Sequence, residues 1–174
     1  PGADAAYRES LRLDDKDAST WFLSGRSYFL RNDFGKAREA FEASIKLNPK
    51  SIRAYENLGL TRNLLGDAAG AETAFREGVR LSHNSPLPDP RVQVAYGVFL
   101  FKLDRLEESR SQLNEAAKAD PKNSEAHYEL ARVLFRLKQG KAAAEEGEAA
   151  LSAGGPDYRV HFLLSRIYSA LGDD

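Results

Sequence analysis

Small residues recur at a fixed interval inside the apolar stretches of this 174-residue chain. Gly25 and Gly59 are 34 apart, as are Gly97 and Ala131, and Ala131 and Ser165. The one longer step, from Gly59 to Gly97, is 38 residues and contains Ser85-Pro86-Leu87-Pro88-Asp89-Pro90. Three prolines in five residues cannot lie inside a helix, so the extra residues read as a longer loop between repeats. A unit of about 34 residues cannot bury its apolar face alone; it must stack on its neighbours to form a continuous core.

Each unit reads as two amphipathic helices of about 13 residues. Trp21, Ser24, Gly25 and Tyr28 follow the spacing i, i+3, i+4, i+7 of one helix face. Asn48-Pro49 and Asp120-Pro121 stop second helices, because the residue before proline avoids the α region. Asn32-Asp33 and Gly66-Asp67 mark tight turns within units. The first full unit carries Trp21, Gly25, Tyr28, Ala37, Phe41 and Pro49. It resembles the tetratricopeptide repeat pattern W-x2-L-G-x2-Y, then A-x3-F, then P, with Ser24 in place of Leu. The second unit has Tyr55, Leu58, Gly59, Ala71 and Phe75, but Arg62 in the Tyr slot and His83 in the Pro slot. The third has Tyr96, Gly97, Leu100, Leu113, Ala116 and Pro121; the fourth has Leu130, Ala131, Leu134, Ala143 and Ala150. Gly147 stands where a large residue belongs, so the second helix of the fourth unit is expected to pack poorly.

The resemblance implies an all-α, right-handed superhelical solenoid of antiparallel helix pairs, with about ten helices in a single array over 1–174. Full repeats are expected at 18–51, 52–89, 90–123 and 124–157. Residues 1–17 read as the second helix of a preceding repeat and 158–174 as the first helix of a following one. The absence of methionine, even at the start, reads as a piece of a longer protein.

In the family, the second, fifth, ninth and twelfth places of each repeat line the inner wall. That stripe is turned by about 100° from the packing stripe. Carried onto this sequence, it holds Phe22, Arg26 and Phe29, then Arg53, Glu56, Leu60 and Asn63. It continues with Arg91, Val94, Val98 and Phe101, then Glu125, Tyr128, Arg132 and Phe135, and last Arg159, Phe162 and Arg166. Aromatic rings offer large contact with few rotatable bonds, and arginine offers planar recognition of carboxylates. Both types are enriched at binding hot spots. The expected partner is a protein or peptide segment that is acidic and carries apolar anchors. The plainer reading of Phe22, Phe29, Phe101 and Phe135 is that they pack between neighbouring helices.

Other chemistry finds little support. Net charge is −1, without the positive excess that phosphate binding favours, and Glu56, Glu125 and Glu129 interrupt any basic wall for RNA. No apolar run is long enough to span a bilayer. There is no cysteine, hence no disulfide and no thiolate ligand. No catalytic motif, metal set or cofactor site is expected. His127 and His161 are 34 apart, but Trp21 and Tyr55 hold the same slot, so flat packing is preferred to metal binding. Adjacent acids such as Glu107-Glu108 and Glu145-Glu146 point about 100° apart on a helix and cannot act as a dyad. The chaperone-tail clamp of the family fails at Phe22, Arg26 and Ala95, although Asn57 and Arg91 roughly match it. The asparagine ladder of the sugar-transferring branch is absent, with Leu23, Asn57, Ala95, Glu129 and Leu163 in its places. The alternative to a binding module is a substrate-presenting region of a larger enzyme. Val160, Phe162, Leu163, Leu164, Ile167, Tyr168 and Leu171 do not form a polar cap, so self-association through an exposed end helix is expected.

Overall fold

The computed structural model describes residues 16–154 and 157–172. The helix expected over 1–17 lies outside them, apart from Lys16 and Asp17. The chain divides into two compact units, Pro1–Leu87 and Pro88–Asp174, and the division falls inside the proline-rich loop. Unit 1 contains α1 (Ala18–Leu30), α2 (Phe34–Leu47), α3 (Ile52–Leu64) and α4 (Ala68–His83). Unit 2 contains α5 (Arg91–Lys102), α6 (Leu106–Ala119), α7 (Ser124–Arg136), α8 (Gly140–Gly154) and α9 (Tyr158–Leu171). Among the described residues there is no strand.

Helix ends follow from local chemistry. Asp17, Asp33, Ser51, Asp67, Asn123 and Asp157 each accept a backbone N–H at a helix start. Helix α2 stops at Leu47 before Asn48-Pro49 and α6 at Ala119 before Asp120-Pro121. Repeat 2 has His83 in place of that proline, and α4 runs on through it for 16 residues. The turn inside each pair places one residue in the left-handed region: Asn32, Gly66, Asp104 and Lys138 have φ of 61°, 80°, 58° and 60°. Glycine, asparagine and aspartate tolerate that region; lysine is strained there.

Helices pair through a small residue on the first helix and a large one 16 positions later. A Cβ placed on Gly25 would lie 2.7 Å from Phe41 Cε1, and one on Gly59 would lie 2.7 Å from Phe75. Gly97 meets Leu113 in the same way, at 2.5 Å. The fourth pair differs. Its two positions are Ala131 and Gly147, both small and both buried. The space is filled from the next helix, where Leu164 Cδ2 lies 2.6 Å from the Cβ position of Gly147. The expected loose packing at Gly147 is therefore corrected: Leu164 of α9 occupies the room that a large residue on α8 would have taken.

Helix α9 also buries Val160, Leu163 and Ile167, so much of its apolar sequence belongs to the core of unit 2. Its Ser165 is exposed, whereas Gly25, Gly59, Gly97 and Ala131 in the same slot are buried. Tyr158 and Phe162 remain exposed, at 83% and 66%.

Candidate functional site

The sequence-derived stripe lies on the first helix of each pair: α1 and α3 in unit 1, and α5, α7 and α9 in unit 2. In unit 1 it brings three of its members together. Phe22 and Arg26 of α1 and Arg53 of α3 line a hollow of about 280 Å³, with Leu23, Asn48 and Ser51. The Phe22 ring leans on Phe41 at a centroid distance of 5.9 Å, which fixes it against the core. Neither the Arg26 nor the Arg53 guanidinium has a carboxylate partner among the described residues. Phe29 is turned to packing instead, edge-on to Phe34 at 5.5 Å. Glu56, Leu60 and Asn63 are half-buried along α3 and do not reach the hollow.

In unit 2 the stripe is built from rings covered by arginines. Val94, Phe101, Tyr128 and Phe135 pack against the core, and Val98 is half-buried. Arg132 lies over the Phe101 ring at 4.8 Å and the Tyr128 ring at 5.7 Å. Arg159 also lies over the Tyr128 ring at 5.0 Å, and Arg166 covers Phe135 at 5.5 Å. Such contacts stabilise by about 0.5–1 kcal/mol each where exposed. These cations are mostly neutralised. Arg132 Nη1 donates to both carboxylate oxygens of Glu129, at 2.8 and 2.6 Å. Arg159 pairs with Asp157 at 2.8 Å and with Glu125 at 3.2 Å. Arg91 folds back on Asp89. Arg166 has no carboxylate partner among the described residues, and Phe162 stands exposed.

Glu129 is the unusual acid of this surface, only 5% exposed. Burial pushes its carboxyl above the usual range, against the opposing pull of the Arg132 charge. Tyr128 is pushed up by burial as well. Asp157 is held below the usual range by hydrogen bonds from the Arg159 side chain and backbone.

Two contributors were missed by the stripe rule. Arg136 stacks on Phe101 at 5.6 Å and reaches Asp104 at 2.7 Å. It lies one turn beyond Arg132, so an i, i+4 search would have found it. Glu129 lies three residues before Arg132, again a neighbour on the helix surface. The histidine pair does not meet: His127 Nδ1 is 2.6 Å from Glu146, and His161 is exposed. Among the described residues no group of three metal-ligating side chains exists.

A family model described as tetratricopeptide repeat matches residues 1–52, 22–86 and 97–158. The chain belongs to the tetratricopeptide repeat family. Anaphase-promoting complex subunit 3 of Schizosaccharomyces pombe is 22% identical over 162 residues, covering 93% of this chain and 24% of that protein. The DnaJ homolog subfamily C member 7 homolog of the same yeast is 27% identical over 170 residues, covering 85% of this chain and 34% of that protein. The chain thus spans about a quarter to a third of the length of these relatives. The solved structure of PilW, described as a type IV pilus biogenesis factor, superposes with a TM-score of 0.83 at 22% identity, over 97% of this chain and 77% of that one. It shares the all-α helix-pair fold. Tetratricopeptide repeats form protein-interaction scaffolds, and this chain is a scaffold of that kind. Its second tetratricopeptide repeat departs from the pattern at Arg62, and the structure accounts for that. Arg62 Nη2 pairs with Glu42 at 2.9 Å and Nη1 donates to Gly70 O at 3.2 Å, so a polar clamp replaces the tyrosine ring.

Proposed function

We propose that this chain holds a segment of another protein on the first-helix faces of its repeats, and that an acidic group of the guest is recognised in unit 1. The observation that carries this reading is the hollow bounded by Phe22, Arg26 and Arg53. Two guanidiniums share a concave space with an aromatic ring, and neither is matched by a carboxylate among the described residues. A guest carboxylate there exchanges water for charge-assisted hydrogen bonds, and an adjacent apolar side chain finds Phe22 and Leu23. In unit 2 the same stripe supplies apolar contact, since Phe101, Tyr128 and Phe135 are held in place by their arginines. Its stripe arginines other than Arg166 are satisfied internally, so its contribution to binding an acid is smaller. No reaction is assigned to these residues.

The test is isothermal titration of the whole chain with an acetylated, amidated Asp-Leu-Glu-Phe-Asp peptide, and with its lysine counterpart. The acidic peptide is expected to bind and the lysine peptide to fail. Equal binding of both, or binding that survives Arg26→Glu with Arg53→Glu, would remove the basis of the proposal.

A further inference from the structure

The hollow at Phe22 is defined by the hydrogen-bonding capacity it has left over. Arg26 comes from α1, Arg53 from α3, and Asn48 and Ser51 from the link between α2 and α3. The acceptors of that link are already used. Asn48 Oδ1 accepts the Lys50 N–H at 3.2 Å, and Ser51 Oγ accepts the Ala54 N–H at 3.3 Å. The Ser44 hydroxyl, also in the lining, donates to Ala18 O at 2.8 Å. The Asn48 amide, the Ser51 hydroxyl and both guanidiniums donate to no acceptor among the described residues. The space therefore offers donors on three sides and two positive charges, with no acid in its lining.

The crevice of about 690 Å³ among α2, α3 and α4 shows the opposite case. It also holds arginines, but Glu42 and Glu77 line it with them. Arg62 is bonded to Glu42, Arg76 to Glu72 and Arg80 to Glu77. Its charges are balanced within the chain. At the Phe22 hollow even the helix start is neutral: Ser51 caps α3, whereas Asp17, Asp33 and Asp67 cap the other helices of unit 1. Asp17, the nearest of these in sequence, is turned to the backbone of Ser19 and Thr20 and to the Thr20 hydroxyl.

A side-chain carboxylate does not match this supply. It carries one charge and two oxygens in a plane, and one guanidinium fork satisfies it. A phosphate ester carries about −1.5 to −2 near pH 7 and presents three terminal oxygens in a tetrahedral arrangement, all acceptors once ionised. It balances both arginines and reaches donors on more than one side. We propose that the acidic group taken by this hollow is a phosphate ester on a serine or threonine of the guest protein, so that the scaffold holds its partner in the phosphorylated state. This rests on the reading that unit 1 recognises an acidic group of the guest, and names that group. Arg26 and Arg53 donate to the phosphate from α1 and α3, and Asn48 and Ser51 donate from the link. An apolar side chain next to the phosphorylated residue covers Phe22 and Leu23.

The experiment is isothermal titration of the whole chain with three acetylated, amidated peptides: Asp-Leu-Glu-Phe-Asp, the same peptide with phosphoserine in place of Glu, and the same with unmodified serine there. The phosphopeptide is expected to bind about tenfold more tightly than the Glu peptide, and the serine peptide more weakly than both. Asn48→Asp keeps the acceptor for the Lys50 N–H but replaces the amide donors with a negative charge. It is expected to narrow the preference for phosphate over Glu to about threefold or less. Inorganic phosphate at the phosphopeptide's own concentration should not displace it. Binding of the Glu peptide with no gain from phosphate overturns this proposal and leaves the acidic-guest reading standing. Failure of both acidic peptides to bind removes both. Displacement by equimolar inorganic phosphate, or a preference unchanged in Asn48→Asp, also overturns the proposal.

Discussion

Units 1 and 2 use the same repeat and the same residue types on their first helices, yet Arg26 and Arg53 of unit 1 are treated differently from Arg132 and Arg159 of unit 2. In unit 1, Arg26 and Arg53 border a hollow and have no acidic partner among the described residues. In unit 2, Arg132 and Arg159 lie on aromatic rings and are matched by Glu129, Asp157 and Glu125. A guanidinium already bonded to a carboxylate has little to gain from a guest's acid, because binding only exchanges one partner for another. Residue type alone therefore does not mark a recognition site; what decides is whether the chain has already satisfied the group.

The largest expected effect tests that contrast directly. Arg26→Glu with Arg53→Glu should weaken binding of the acidic peptide by ~100-fold, whereas Arg132→Gln should change it by less than about threefold. Titration calorimetry on the two variants reads the difference, and equal losses would erase the distinction between the units. Next in size is a packing comparison. Gly59→Ala places a methyl 2.7 Å from the Phe75 ring and should destabilise the protein by about 1–3 kcal/mol. Gly147→Ala places one against the far end of Leu164, a flexible side chain that can move aside, and should cost less. Urea midpoints measure both.

A smaller gain is expected from Lys138→Gly. Lys138 holds a left-handed turn position that glycine holds in unit 1, at Gly66. Relief of that strain should stabilise unit 2 by up to about 1 kcal/mol, read as a rise in melting temperature. Asn32→Gly should give less, because asparagine tolerates that region.

The smallest effect concerns pH. The carboxyl of Glu129 titrates above its unfolded value because it is buried. Such a group favours the folded state fully below the unfolded value, and the advantage is lost as pH rises through the native value. Glu129→Gln should flatten that fall in stability between mildly acidic and neutral pH. Urea titrations of the native and Glu129→Gln proteins at the two pH values check the sign. A steeper fall in the variant would contradict it.

Much of the fold was legible in the sequence. The 34-residue interval, the glycine slots, Asn48-Pro49 and the Gly66 turn each report a local steric requirement, and such requirements show in residue identity. Gly147 misled because its partner, Leu164, belongs to the following repeat, and the pattern was read within repeats. Of the stripe in unit 1, Phe22, Arg26 and Arg53 line one hollow on neighbouring first helices. The stripe did not show that Phe29 turns to Phe34, that Glu129 lies beneath Arg132, or that His127 meets Glu146. Those outcomes depend on rotamers and on pairing among side chains, which the spacing of residue types does not encode.

The exchange of large and small at the fourth pair bears on how the molecule comes apart. Pairs one to three each carry their own wedge, so a hairpin detached from its neighbours would still find Phe41, Phe75 or Leu113 seated in its glycine notch. The α7–α8 hairpin must borrow Leu164 from α9. If α9 peels away, that hairpin is left with an empty notch as well as a bare flank, and the two should melt as one cooperative block while the earlier hairpins keep their own seams closed.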